Sequence, residues 1–417
     1  MTVPPYAGLT PFSEADAGFF FGREREEDVL LANLTASRLP ILYGAMGVGK
    51  SSLLRAGLAR RLRSECAANL ADYGVPKLAP VLFGSWGAGD PVEKLRSAIQ
   101  AAAAELMPHL ARSSGAAPSR LDETIEASAQ RVEGKVLVIL DQFEEYFLYQ
   151  RGDERDGGFA VELARAVNRP DLPVGFLICI RDDAVAKLIP LRELIPRLLD
   201  NFQHLEHLDR EAARAAIIGP LEAYNRSARA GEELVIEPEL VEAVLDEVRG
   251  PTLDLWSEPG ETRVDTSLLQ VVMMRLWAEE TRLGSHALRL ETLERLGHAE
   301  RIVAGAVEGP LAALAPEDQR LVAEILHYLV TPSGMTIAHT ARDLALFTKT
   351  DEQRLVRVLA QLSSARILRR EPPAAGQLEI RFRVHHDVLV VPLREWAFRQ
   401  SYVARRRSKL FRFLSRR

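Results

Sequence analysis

One short stretch carries a complete set of phosphate-binding residues. Gly44-Ala-Met-Gly-Val-Gly-Lys50-Ser51 fits the pattern G-x-x-x-x-G-K-[ST] without a mismatch. Glycines in this pattern let successive backbone N–H groups turn inward around phosphate oxygens, which makes a P-loop. Lys50 is then expected to reach the β- and γ-phosphates, and the Ser51 hydroxyl to ligate Mg²⁺. The predicted phosphate-binding positions are Gly44, Gly47, Val48, Gly49, Lys50, Ser51 and Ser52.

An acidic group after an apolar run forms the second half of this predicted site. The apolar run 136–140 is followed directly by Asp141, which places a carboxylate at the tip of a buried strand, where it can hold Mg²⁺ through a water. A carboxylate just beyond it can orient the attacking water, so Glu144 and Glu145 are both candidates for the catalytic base. We slightly favour Glu145. The alternative is that both acids face solvent in the first turn of the next helix.

A positive group is predicted at the end of another strand. The apolar run 174–180 ends in Arg181, which could sense the γ-phosphate of a bound nucleotide. Its alternative role is a salt bridge with Asp182 or Asp183. The sequence favours neither reading over the other.

Alternating strands and helices must position these residues. Apolar runs over 39–43, 78–83, 135–140 and 174–180, with a weaker one over 202–208, are separated by helical segments. This alternation predicts a parallel sheet with helices on both faces, an α/β P-loop NTPase fold of the ASCE or AAA+-like type. Ligands of such sheets bind at the carboxyl ends of the strands, where the P-loop lies.

The remainder of the chain is predicted to be helical and then mixed. Strand signals vanish from 209 to about 308, and Gly219-Pro220 by itself predicts a helix stop. Three helices are predicted near 316–330, 337–346 and 351–362, and the third has a capping box from Thr350 and Gln353. Two strands follow near 365–370 and 377–384. Three helices followed by two strands are typical of a winged helix. We predict a lead-in over 1–34, an NTPase domain over 35–208, a helical domain over 209–309, a winged helix over 310–400 and a basic tail over 401–417.

Composition indicates a globular protein of a reducing compartment. The 417 residues are 47% hydrophobic and 27% charged, and the formal net charge is −5. The chain has only two cysteines and lacks a signal peptide or an apolar run long enough to cross a bilayer, so we expect a cytoplasmic protein. Seven Lys and Arg residues and no acid lie in 403–417. This tail is either a solvated helix or a contact with anionic lipid or nucleic acid.

Several motifs together resemble the STAND class of signalling NTPases, specifically the bacterial novel STAND NTPase type 1 group. The resemblance covers about residues 4 to 400, and the motifs follow in the right order. The matching elements are the lead-in Pro5–Phe12 with Phe20-Phe-Gly-Arg-Glu24, the metal strand with Asp141-Gln-Phe-Glu-Glu145, the adenine-side Ile218-Gly-Pro220, the helical stretch from Leu268 to Trp277, and His386-Asp387.

The resemblance implies a switch controlled by ATP and ADP. It assigns Gly22, Arg23 and Pro220 to nucleotide binding, and it gives His386, otherwise an ordinary capping or packing histidine, a contact with the β-phosphate of ADP that locks the resting state. Exchange for ATP would release this lock and permit homo-oligomer formation, with slow hydrolysis acting as a timer. Group members usually carry an effector and a repeat sensor, which we expect to be supplied outside these residues. Arg181-Asp-Asp183 departs from the group's more frequent Arg-x-Asp-aromatic pattern.

Two other functions compete with the switch. A DNA-binding loader ATPase would use basic residues near the third helix and wing, but acids lie close by and the overall charge is negative, so a nucleic-acid partner is not favoured. A membrane-proximal scaffold would use the basic tail. The arginines that motivate the DNA alternative are Arg354, Arg357, Arg366, Arg369 and Arg370.

Overall fold

The computed structural model describes residues 4–87, 89–108, 118–149, 158–228, 233–249, 263–331, 336–371 and 379–400. These residues fall into two compact units, one formed by Met1–Leu234 with Arg249–Thr266 and the other by Val235–Val248 with Ser267–Arg417. The finer five-part division remains a prediction, and the basic tail lies outside the described residues.

A parallel sheet of five strands is the centre of the first unit. Its spatial order is β2-β3-β4-β1-β5, so β4 lies between the P-loop strand β1 and the metal strand β3. All four pairings are parallel, which confirms the predicted α/β P-loop fold. The strands are β1 (Ile41–Gly44), β2 (Leu78–Phe83), β3 (Lys135–Leu140), β4 (Val174–Arg181) and β5 (Phe202–His204).

Helices cover both faces of this sheet. Alternate side chains of β3 and β4 enter two separate cores, because successive residues of a strand point to opposite faces. One core packs against α3, α4 and α6, and the other against α1 and α2. The helices are α1 (Glu24–Ala36), α2 (residues 50–73, with a π-helical stretch over Leu53–Ala59), α3 (Pro91–Leu106), α4 (Leu121–Arg131), α5 (Tyr146–Tyr149), α6 (Phe159–Asn168) and α7 (Arg210–Ser227).

Gly219-Pro220 lies inside a helix, so the predicted helix stop was wrong. Helix α7 continues past Pro220 to Ser227. Proline removes one backbone donor and its ring crowds the preceding turn, yet tertiary contacts hold this turn: the buried Tyr6 hydroxyl donates to Ile217 O at 2.7 Å. Gly219 is needed at this point because a Cβ there would lie 2.5 Å from Cγ of Phe21.

The second unit contains helices and two small sheets. A parallel pair, β6 with β7, corrects the prediction that strands are missing between 209 and 308. Its elements are β6 (Val235–Ile236), α8 (Pro238–Glu247), α9 (Thr266–Arg282), β7 (Ala287–Leu288), α10 (Leu290–Arg295), α11 (His298–Ala312), α12 (Pro316–Leu329), β8 (His339–Thr340), α13 (Ala341–Thr348), α14 (Glu352–Ser364), β9 (Leu368–Glu371) and β10 (Arg381–Val384), and residues 390–400 are helical.

The C-terminal elements include the predicted three helices followed by two strands, with a further strand, β8, between the first two helices. Strand β10 lies between β8 and β9 in an antiparallel sheet, which adds one strand to the two that the sequence predicted. The N-cap of α14 is Asp351, whose carboxylate accepts from Arg354 N, so the capping box predicted at Thr350 was wrong. The capping box of this region is at Thr340 and Asp343, at the start of α13. The winged-helix assignment stays a prediction.

The close packing of Gly219 under Phe21 predicts the effect of one added methyl group. Gly219→Ala should lower the free energy of unfolding by about 1–3 kcal/mol, the usual cost of overpacking, although alanine has the better helix propensity. Gly18→Ala is the matched control, because a Cβ at Gly18 meets nothing within 4 Å. Urea unfolding of both variants measures this, and equal midpoints would contradict the packing argument.

Candidate nucleotide-binding site

The P-loop has the backbone shape that phosphate binding requires. Gly47 and Gly49 adopt positive φ angles of 80° and 97°, which glycine reaches without steric cost. Lys50 Nζ donates to the carbonyl oxygens of Gly44 at 2.7 Å and Ala45 at 2.8 Å, so the ammonium group lies over the start of the loop. A Cβ on Gly44 would approach Leu205 O to 2.4 Å. The loop is therefore held in shape from both of its ends.

The lead-in also contacts the P-loop, through Arg23. This guanidinium is 4% exposed and donates to Val48 O at 3.0 Å and to Glu206 O at 2.8 Å. Burial lowers the pKa of Arg23, and the neighbouring Glu26, with which it forms an ion pair, opposes that shift. Arg23 thus fixes a P-loop carbonyl rather than lying free in solvent.

The other predicted nucleotide-binding residues of the first unit also meet the lead-in. Gly22 has a φ of 82°, and a Cβ there would lie 2.3 Å from Ala212 O in α7. The Phe21 ring lies beside Gly219, which immediately precedes Pro220. Ser52 Oγ accepts the Phe12 N–H at 3.2 Å, so this hydroxyl supports the lead-in. The lead-in, the P-loop and the Gly-Pro turn of α7 are therefore assembled together.

Asp141 and Ser51 lie next to each other, as predicted for metal ligands. Asp141 is 1% exposed at the end of β3, and its Oδ1 accepts the Ser51 hydroxyl at 3.1 Å. Its Oδ2 lies 3.3 Å from Nη2 of Arg55, one helical turn beyond Ser51. A buried carboxylate needs such partners because it has lost its hydration. Arg55 is not among the residues predicted for the site, although its spacing of four residues from Ser51 places both on one helix face.

An aromatic cluster holds the backbone at Asp141. Trp86 is fully buried, and its Nε1 donates to Asp141 O at 2.7 Å. The indole packs edge-on against Phe143 and Phe159, with centroid distances of 5.2 Å for each. Gln142, between Asp141 and Phe143, has a positive φ of 55°, which is uncommon for a residue with a side chain. No signal in the sequence linked Trp86 to this turn, because the contact exists only in the folded chain.

The two candidate base residues lie in the short 3₁₀ turn Phe143–Glu145. Glu144 Oε2 accepts the backbone N–H of Arg181 at 3.2 Å, which places this carboxylate at the carboxyl end of β4. Burial raises the pKa of Glu144, while the nearby charges of Lys50 and Arg181 act in the opposite direction. The N–H of Glu145 continues the turn by donating to Gln142 O at 2.9 Å.

Arg181 lies beside the P-loop at the end of β4. Strand pairing sets it opposite Gly44, and its Nη1 is 3.3 Å from Sδ of Met46. Nε and Nη2 donate to the two carboxylate oxygens of Asp183 at 3.0 and 2.7 Å. The salt bridge given as the alternative role is therefore formed, at a position next to the phosphate-binding loop.

His386 belongs to the second unit, and it contacts Ser267 and Val388 of the same unit. Its Nδ1 accepts the Val388 N–H at 3.3 Å, and its Nε2 lies 3.1 Å from the Ser267 hydroxyl. Because Nδ1 accepts, the neutral ring carries its proton on Nε2 and donates it to Ser267. Burial lowers the pKa of the neighbouring His385 to about 4.

The sequence profile of one protein family, Novel STAND NTPase 1, matches residues 5–413. This chain belongs to that family. The match includes the lead-in, the P-loop, the acidic strand and the His386 region, so the resemblance inferred from the motifs is confirmed. No curated protein matches the chain significantly.

Several solved structures are similar to this STAND NTPase, and ORC proteins are among them. The Aeropyrum pernix ORC1 protein in complex with DNA is 16% identical, over 93% of this chain and 94% of that one, with a TM-score of 0.46. The ORC2 protein of the same organism, in ADPNP and ADP complexes, is 17% identical over 91% and 94%, also at 0.46. Drosophila ORC bound to DNA is 12% identical over 96% and 95%, at 0.41.

The residues of the STAND NTPase site suit a magnesium nucleotide. Ser51 and Asp141 offer the hard oxygen ligands that Mg²⁺ prefers, while the substrate phosphates usually supply others. In the described part of the chain, no group of three or more His, Cys, Asp or Glu side chains could hold a metal alone. Thr266, whose methyl carbon would lie 3.8 Å from a Cβ on Gly49, has a buried hydroxyl without a partner among the described residues. Lys50, Ser51 and Asp141 are therefore the groups that would hold the phosphates and the metal.

Proposed function

We propose that this STAND NTPase is an ATP- and ADP-dependent switch of a bacterial signalling or anti-phage defence system, with ADP bound at rest. The observation that carries the proposal is the grouping of Lys50, Glu144 and Arg181 at one edge of the sheet, beside Ser51 and Asp141. These groups could recognise the terminal phosphate, in which ATP and ADP differ. A switch needs such a difference in binding, since a ligand moves an equilibrium only through its differential affinity.

Hydrolysis of ATP would reset the switch slowly. When bound, Mg²⁺ would neutralise charge on the phosphates. Glu144 is our candidate for the carboxylate that orients water, because its side chain reaches the end of β4 near Lys50 and Arg181. This choice differs from the slight sequence preference for Glu145, which stays the second candidate. Glu144 and Glu145 lie in the same short turn after Asp141, so substitution of each acid in turn can decide which one orients water.

The second unit would supply the lock through His386. Its imidazole is oriented by Ser267 and by the Val388 N–H, so the ring has a defined direction and tautomer. We propose that His386 contacts the β-phosphate of ADP in the resting state and loses this contact when ATP binds. ATP-bound chains would then form homo-oligomers in the cytoplasm and engage effector and sensor modules.

Ion pairs weaken the DNA-binding alternative. Arg354 donates to Asp318 and lies 3.4 Å from Glu317, and Arg369 pairs with Glu371. Part of the positive charge that favoured DNA is therefore neutralised within the second unit. A membrane contact through the tail stays a secondary proposal, and none of the helices in the described ranges has the length and apolar character of a membrane span.

Lys50→Ala tests nucleotide binding itself. Loss of the ammonium group should weaken ATP and ADP binding about tenfold to hundredfold, since hydrogen bonds to charged groups contribute about 1.5–3 kcal/mol. Fluorescent-nucleotide titration measures affinity, and chromatography after denaturation identifies any nucleotide that co-purifies. Lys135→Ala is the control, because Lys135 also donates to a carbonyl, Leu34 O, but at the start of β3. Millimolar or absent binding by the wild-type chain would reject the switch.

Two isosteric substitutions separate the candidate bases. Glu144→Gln should slow single-turnover ATP hydrolysis about 10²- to 10⁴-fold, the usual contribution of a positioned base. ATP affinity should be retained, so ATP should be trapped and oligomers favoured. Glu145→Gln is the paired variant and should hydrolyse ATP at close to the wild-type rate. The reverse result would assign the role to Glu145.

His386→Ala tests the lock. Loss of the imidazole should weaken ADP binding about twofold to tenfold, the range of a neutral hydrogen bond of about 0.5–1.5 kcal/mol. It should also move the protein toward larger assemblies in size-exclusion chromatography with light scattering. His327→Ala is the control, because His327 lies in α12 and bonds to Ala323 O of the same helix. Unchanged ADP affinity and unchanged size in the His386 variant would refute the lock.

A further inference from the structure

Arg181 already has a partner that offers what a phosphate would offer. Its Nε and Nη2 make a two-point contact with both oxygens of Asp183. Arginine forms the same fork geometry with carboxylates and with phosphates. The Arg181 side chain is 19% exposed and that of Asp183 is 57% exposed, so water can replace the arginine at Asp183 at little cost. Arg181 is therefore positioned to exchange the Asp183 carboxylate for a phosphate.

The Arg181–Asp183 pair lies next to the P-loop, where a phosphate would compete for the guanidinium. Nη1 of the same guanidinium touches Met46 Sδ inside the P-loop, and Glu144 accepts the Arg181 N–H. A third phosphate held by Lys50 would extend into the space that these residues border. The guanidinium could offer its Nε–Nη2 edge, which can make a two-point contact, by releasing that edge from Asp183.

We propose that Asp183 is a specificity-determining residue that lowers the affinity for ATP relative to ADP. A two-point contact of the Nε–Nη2 edge with the γ-phosphate of ATP would replace the Arg181–Asp183 pair, whereas ADP leaves the pair intact. Asp183 thus sets the ratio of ATP to ADP at which the switch changes state. This inference rests on the proposed function, because it requires a nucleotide at the P-loop.

The chain offers a matched control in the adjacent acid. Asp182 Oδ1 accepts the backbone N–H of Asp183 at 2.8 Å. Asp182→Asn keeps an acceptor oxygen there and removes the same unit of negative charge as Asp183→Asn. A difference between the two variants therefore reports the contact with Arg181 and not the general charge of the loop.

The experiment measures the affinities of the full chain for ADP and for a non-hydrolysable ATP analogue with Mg²⁺. Asp183→Asn should tighten analogue binding about threefold to fivefold, the scale of an exposed two-point ion pair, and should change ADP binding less than about twofold. Asp182→Asn should leave the ratio of the two affinities unchanged. In an Arg181→Ala background, Asp183→Asn should lose its effect on that ratio.

The possible results separate the inference from the function beneath it. Tight nucleotide binding with the same ratio in Asp183→Asn and wild type would overturn the role of Asp183 and leave the switch standing. An altered ratio that persists without Arg181 would overturn it as well. Failure of the wild-type chain to bind either nucleotide would reject the proposed function. Thermal unfolding of each variant confirms that the affinities refer to folded protein.

Discussion

A carboxylate withdrawn from water is the constraint on which the site depends. Asp141 ends the central strand β3 with only 1% of its surface exposed, so its charge must be met by the protein. Ser51 and Arg55, both from the P-loop helix, meet it from one side, and Trp86 fixes the carbonyl of the same residue from the other. Strand β3, which leads to the acid, and helix α2, which carries Lys50 and Ser51, are therefore tied together, although β4 lies between β3 and the P-loop strand β1 in the sheet.

The same constraint accounts for the shape of the acidic turn. With the Asp141 carbonyl bound to Trp86, the chain turns at Gln142 through a left-handed conformation. The aromatic rings of Phe143 and Trp86 then fill the core beneath the turn, and Glu144 reaches the end of β4. Packing in the interior thus helps to decide that Glu144 reaches the end of β4.

The features that the sequence predicts correctly are those in which the residue types themselves favour a backbone conformation or burial. The glycines of the P-loop and the apolar runs of the strands depend on local shape and on burial alone, and the family pattern extends over most of the chain. One error came where distant contacts override a local signal, because Phe21 and Tyr6 support the helix through Pro220. Another lies between two adjacent capping residues, since Asp351 rather than Thr350 caps α14. Trp86 acts through a contact between segments that the sequence does not show to be neighbours.

The attachment of the lead-in at Arg23 also has a mechanical consequence. The guanidinium bonds to the carbonyl of Val48 and to that of Glu206, while Tyr6 and Phe12 of the same segment bond to Ile217 and Ser52. A pull on the amino-terminal segment would therefore be shared between α7 and the P-loop, so these two elements would respond to it together.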